Sequence, residues 1–122
     1  MDNPGQTAAE QDDFVFMILY NVTLTVDLDV HQEWAAWMRA QHIPDVMSTG
    51  MFLSYRFSKL LDHGHEDAEI YTVQYLCKDR AHILRYQAEF APDLQKEVRD
   101  KYAGKFAVFR TLMEVIDTND KA

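Results

Sequence analysis

His42 is followed closely by Pro44 and Asp45. Imidazole titrates near neutrality, and a proline break in a helix can turn the ring into a cavity, so His42 is the candidate general base and Asp45 the carboxylate that would orient it. A plainer reading stands beside it. Phe90-Ala91-Pro92-Asp93-Leu94 parallels His42-Ile43-Pro44-Asp45-Val46, which puts Phe90 where His42 stands, and an aspartate at a restarted helix stabilises its N-terminus. A second set is Asn21, Thr23, Arg56, Gln74 and Arg110. Guanidinium, amide and hydroxyl donors of this kind suit an anionic or carbonyl-bearing small molecule, and they serve equally to pair across an interface with Glu114 and backbone carbonyls.

Other chemistry-bearing residues point away from reactivity. His63 and His65 stand with Asp62, Glu66 and Asp67 in a short polar stretch, where a tight turn does not readily converge four ligands on a metal. Cys77 is the single cysteine and has no histidine at nucleophile spacing. No glycine-rich phosphate loop and no Gly-x-Ser-x-Gly elbow occurs. Neither a metal nor another cofactor is expected.

The elements that must position these residues are legible from periodicity. Val15 to Val26 is rich in β-branched and aromatic residues, with Asn21, Thr23 and Thr25 at odd positions, the pattern of a strand. Asp29 is expected to cap a helix carrying Val30, Trp34, Trp37, Met38 and Gln41, which Pro44 interrupts and Gly50 closes. Met51 to Leu61 and Glu69 to Cys77 alternate around the polar turn and form a hairpin. Asp79 caps a second helix with Ile83, Tyr86, Phe90, Leu94, Val98 and Tyr102, broken at Pro92 and ended by Gly104, and Phe106 to Ile116 is the last strand. Trp34, Trp37, Tyr20, Tyr71 and Tyr75 fall on apolar faces and are expected in the core.

This order predicts an α+β, ferredoxin-like βαββαβ fold, a four-stranded antiparallel sheet with two helices on one face. Residues 1–13 are expected to be a disordered leader, 14–117 the domain and 118–122 a flexible tail. The even side of the first strand, from Phe16 to Leu24, should pack under the helices. The open side should carry Arg110, Asn21, Thr23, Thr72, Gln74, Ser54, Arg56 and Ser58, with Met17, Leu19, Phe52, Val108 and Leu112 among them. A half-apolar open face is incomplete alone, so a homodimer closing a barrel-like core is expected. The net charge of −8 disfavours nucleic acid and anionic membranes, and the lone cysteine with no long apolar run fits a cytoplasmic protein.

The segments Met17 to Thr23, Trp34 with Trp37-Met38, His42-Ile43-Pro44-Asp45-Val46, Thr49-Gly50 and Phe106 to Leu112 resemble domain-of-unknown-function family 4286, a bacterial group of the dimeric α/β barrel superfamily. The resemblance implies the fold and the dimer, and no reaction. The wider superfamily includes cofactor-independent monooxygenases, isomerases, haem-degrading enzymes and non-catalytic members. Asn21 is similar to the strand-one asparagine of the haem-degrading branch, but the second helix has no histidine after Phe90, so haem chemistry is not expected. Three functions follow as expectations. The chain binds a small organic ligand; or it is a cofactor-independent monooxygenase or isomerase with His42 as base and Asn21 polarising a carbonyl; or it is a structural or protein-interaction module.

Overall fold

The computed structural model describes residues 16–120, so the expected leader lies outside the described residues. Strand β1 (Ile18–Asp27) leads into α1 (His31–Trp37), a π-helical turn (Met38–His42) and α2 (Ile43–Ser48). Strands β2 (Phe52–Lys59) and β3 (Ala68–Cys77) form the hairpin. Helices α3 (Arg80–Glu89) and α4 (Ala91–Lys101) and strand β4 (Phe106–Glu114) complete the chain. The sheet is antiparallel in the order β2-β3-β1-β4, which is the ferredoxin-like arrangement. No helix among the described residues is long and apolar enough to cross a membrane.

Alternation along the strands divides the sheet into two faces. Ile18, Tyr20, Leu24 and Val26 of β1 are buried against the helices, as are Tyr71, Val73, Tyr75 and Cys77 of β3. Trp34 and Ile83 anchor the two helical arms, each with no exposed surface. The Trp34 ring lies 4.9 Å from Tyr71 and 5.8 Å from Phe57, centroid to centroid. Gly50 and Gly104 follow α2 and α4 with φ of 78° and 75°, the left-handed conformation that releases the chain from a helix.

Three local expectations need correction. Asp29 does not cap α1: the cap position is Val30 without a side-chain bond, and Asp29 instead accepts from Lys105 at 2.8 Å. Asp79 does cap α3, accepting the His82 backbone N–H at 2.9 Å. The register shifts between Phe52 and Ser54, and this bulge at Leu53 puts Phe52 on the helix face opposite Cys77 while Ser54, Arg56 and Ser58 stay on the open face. Arg110, Val108 and Leu112 pair with Val22, Leu24 and Tyr20, so all three belong to the helix face and not the open one.

Replacing Trp34 with Ala should cost roughly 3–5 kcal/mol, through lost burial and the cavity left behind. Replacing Asp79 with Ala should cost only about 1 kcal/mol, the worth of one N-cap. Urea unfolding of both variants, followed by far-UV circular dichroism, checks the ordering.

Candidate functional site

Pro44 shapes the site. It has no N–H to donate to the carbonyl one turn back, and its ring crowds that carbonyl. The helix widens and does not end there: the Ile43 N–H reaches back five residues to the Met38 carbonyl. Pro44 then sits in the first turn of α2, where a missing donor costs little. Through this wide turn Met38, His42 and Val46 all border one cavity between the helices and the sheet.

The cavity measures about 150 Å3. That is below the roughly 300 Å3 of drug-sized sites, but a void of this size holds one six-membered ring. Its floor comes from Tyr20 and Val22 of β1, Val73 and Tyr75 of β3, and Val108 and Arg110 of β4. Its roof adds Tyr86 of α3 and Gln95, Val98 and Arg99 of α4. An open depression of about 360 Å3 shares Arg99, Phe106 and Val108 with it and runs out over Gly104. The mouth therefore lies between α4 and the edge strand β4, with Arg99 and Arg110, both exposed, at the rim.

The interior is polar without being charged. Burial pushes the Tyr20 hydroxyl above its ordinary pKa, against the Arg110 charge and hydrogen bonding from Arg110 and Gln95. Burial also raises Tyr75, with Tyr86, Tyr20 and Tyr55 adding to the effect. Tyr86 is raised by burial and by Tyr20, and Arg110 opposes. The Tyr75 and Tyr86 rings pack with centroids 6.0 and 5.8 Å from Tyr20, and all three phenols keep their protons. His42 falls to a pKa of about 4, chiefly by burial, with the Asp45 charge opposing and the Arg110 charge adding.

The two faces of the sheet separate the residues singled out by sequence. His42 and Arg110 meet at the cavity. Asp45 accepts a hydrogen bond from Gln41 at 2.9 Å, while the His42 Nδ1 is buried without a partner, so no carboxylate bond orients the ring. The ring instead stacks on Trp37 at 5.6 Å. Asn21, Thr23, Gln74 and Arg56 occupy the open face, where Asn21 lies opposite Gln74 and Gln74 opposite Arg56. The Asn21 Nδ2 donates to Thr23 Oγ1 at 3.2 Å, and its Oδ1 is buried and unpartnered. Asn21 and His42 cannot act on one molecule within a protomer because the sheet stands between them.

Sequence reasoning missed Gln95 and Arg99, and it placed Tyr86 on the apolar stripe of the second helix, where it is buried, without assigning it to a site. A signal for two of them was present: Gln95 lies three residues before buried Val98, and Tyr86 brings a hydroxyl onto an apolar stripe. Elsewhere, His63 lies 3.6 Å from Glu69 and also accepts from the His65 backbone N–H. No group of three or more His, Cys, Asp or Glu that could hold a metal occurs among the described residues. Cys77 is buried, and the carbonyls of Met51 and Asp79 both lie within reach of its single thiol proton, at 3.3 and 3.4 Å from the sulfur.

The model of the family described as Domain of unknown function (DUF4286) matches residues 17–116. The chain belongs to this family. Among solved structures it is similar to a dimeric ferredoxin-like protein from an uncultured marine organism, at 15% identity over 84% of this chain and 98% of that one, with a TM-score of 0.63. An EthD-like protein from Ralstonia eutropha JMP134 matches at 17% identity over 88% of this chain and 100% of that one, with a TM-score of 0.65. A mutant form of SnoaB, a cofactor-independent oxygenase from Streptomyces nogalater, matches at 11% identity over 85% of this chain and 98% of that one, with a TM-score of 0.59. None of the curated proteins matches the chain. At these identities the likeness establishes the ferredoxin-like fold.

The lowered His42 pKa carries a sign. Unfolded, the ring would take up its proton near pH 6.5; folded, it does so only near pH 4. The unfolded state therefore binds the extra proton between these values, and stability falls as pH drops through them. The loss should approach about 3 kcal/mol between roughly pH 7 and pH 4. A His42→Gln variant should lack that part of the pH dependence in urea unfolding series at the two pH values.

Proposed function

We propose that the protein is a homodimer that binds a small, ring-sized organic molecule, anionic or carbonyl-bearing, in the cavity between helices and sheet. The observation that carries this reading is the lining: three protonated phenols, one amide and one imidazole border an otherwise apolar void whose rim holds two guanidinium groups. A cavity with no ligand to orient would be filled by aliphatic side chains at lower cost, since each buried polar group needs a partner. Of the residues expected to bind ligand, Arg110 serves this cavity, whereas Asn21, Thr23, Arg56 and Gln74 serve the open face.

That open face supports the dimer. Phe109, 63% exposed, and Met113, 39% exposed, lie on it opposite Thr23 and Leu19. A second copy laid across it would cover both and bring hydrogen-bonding groups to the Asn21 Oδ1. The structural relative described as a dimeric ferredoxin-like protein supports a dimer, without saying which face it uses.

A second reading is catalysis in the same cavity, a cofactor-independent oxygenation or isomerisation. It is supported by the likeness to SnoaB and by the place of His42 at the cavity, although a ring whose pKa is lowered to about 4 by burial is a weak base there. Asn21 has no part in it.

Calorimetric titration with benzoate, a ring with one anionic head, tests the binding site. Arg110→Gln should weaken binding by roughly tenfold or more, as expected for loss of a charge-assisted contact, and Arg56→Ala should leave it unchanged. The reverse pattern would move the site to the open face. Light scattering on a sizing column should give a doubled mass for the parent protein and a single mass for Phe109→Glu, whose charge would have to be buried in the interface.

A further inference from the structure

The groups around the cavity are rich in donors, and none of the acceptors among them carries a negative charge. Tyr20, Tyr75 and Tyr86 hold their hydroxyl protons, Gln95 brings an amide N–H, and Arg99 and Arg110 bring guanidinium groups. Among the described residues no aspartate or glutamate lines the cavity, although the chain as a whole has 20 acidic and 12 basic residues. A neutral hydroxyl ligand could give its own proton only to an uncharged acceptor, the His42 ring, the Gln95 amide oxygen or a phenol oxygen, whereas an oxyanion is matched by the more numerous donors. The carboxylate nearest His42 in sequence, Asp45, is bonded to Gln41 and is not among the lining residues.

We infer that the cavity takes a ring-bearing weak acid, a phenol or a cyclic enol, as its oxyanion, with the charged oxygen held by Arg110, the Tyr20 hydroxyl and the Gln95 amide. This inference rests on the helix–sheet cavity being the ligand site. The ring sits among Val22, Val73, Val98 and Val108, whose apolar walls suit a flat hydrocarbon. Ionisation breaks the ligand's O–H bond and gives the proton to bulk water, and the anion is the species bound. Nothing is oxidised or reduced.

The charged and titratable groups facing the oxyanion come from every packed element. They are Tyr20 from β1, Tyr75 from β3, Arg110 from β4, Tyr86 from α3, Arg99 from α4, and His42 with Asp45 behind it. Only Asp45 is negative, and Gln41 already engages its carboxylate. Of the three donors, the buried Tyr20 is held in place before the charge arrives, which is the arrangement that stabilises an oxyanion most.

The test uses 4-nitrophenol, which is yellow only when ionised, beside 4-nitroanisole, its methyl ether, which has no proton to lose. At a pH where half of the free phenol is ionised, the bound phenol should be almost wholly yellow. It should bind at least roughly tenfold more tightly than the ether, the worth of a charge-assisted contact. Tyr20→Phe, which keeps the buried ring, and Arg110→Gln should each shift the bound probe back toward the colourless form. Equal binding of phenol and ether, or a colourless bound phenol, would overturn the inference and leave the cavity a binding site. Failure of both probes to bind would overturn the binding reading together with it.

Discussion

Strand β1 is hydrogen-bonded along both edges, to β3 over Ile18–Asp27 and to β4 from Ile18 to Val26. Strand β3 is central too, but a bulge interrupts its ladder to β2, whereas both ladders of β1 run without a shift. The register of β1 therefore cannot slip without breaking both. A one-residue slip would also send every core side chain to the opposite face. Tyr20 and Asn21 show what this constraint does. The tyrosine faces the helices and reaches the cavity, and its neighbour in sequence faces the open side with Thr23. Two neighbouring residues therefore belong to two different surfaces, one bordering the cavity and the other on the open side of the sheet.

The strength of alternation decides how far such placement can be read from sequence. In β1 from Tyr20 to Asp27, and in β3 from Tyr71 to Tyr75, polar and apolar residues alternate clearly, and the faces they predict are the faces observed. In β4 the run Phe106-Ala107-Val108-Phe109 is apolar throughout, so no pattern within the strand fixes its parity. Pairing with β1 fixes it, and that information is not local to the strand. Arg110 moves from one face to the other on this point alone. The bulge at Leu53 has a similar effect in β2, since one inserted residue reverses the face of Phe52 relative to the positions after it.

The helix break at Pro44 was visible in the sequence, but its form was not. Proline excludes one hydrogen bond, and the chain can respond by ending the helix, kinking it or widening it. Here the buried positions Met38, Ile43 and Val46 on both sides of the break favour widening, because all three then reach the core. At Pro92 the second arm separates into α3 and α4 with Phe90 between them. The parallel between the two segments is thus one of sequence and of general position, and their local geometry differs. In keeping with that difference, His42 borders the cavity with Tyr20 and Tyr86, and Phe90 does not.

A protein with a net charge of −8 has an unfavourable overall field for an anion, yet its cavity is rimmed by cations. Screening limits the conflict, because beyond about 8 Å in physiological salt the distant carboxylates act weakly while a guanidinium at the rim acts at contact. The positions of the charges matter more than their sum. Arg99 and Arg110 stay in water, where their desolvation cost is small. The interior holds only groups that remain neutral at physiological pH, the three phenols and His42. The fold can therefore keep this cavity polar without burying an unpaired ion, and its own interior side chains supply no charge at physiological pH.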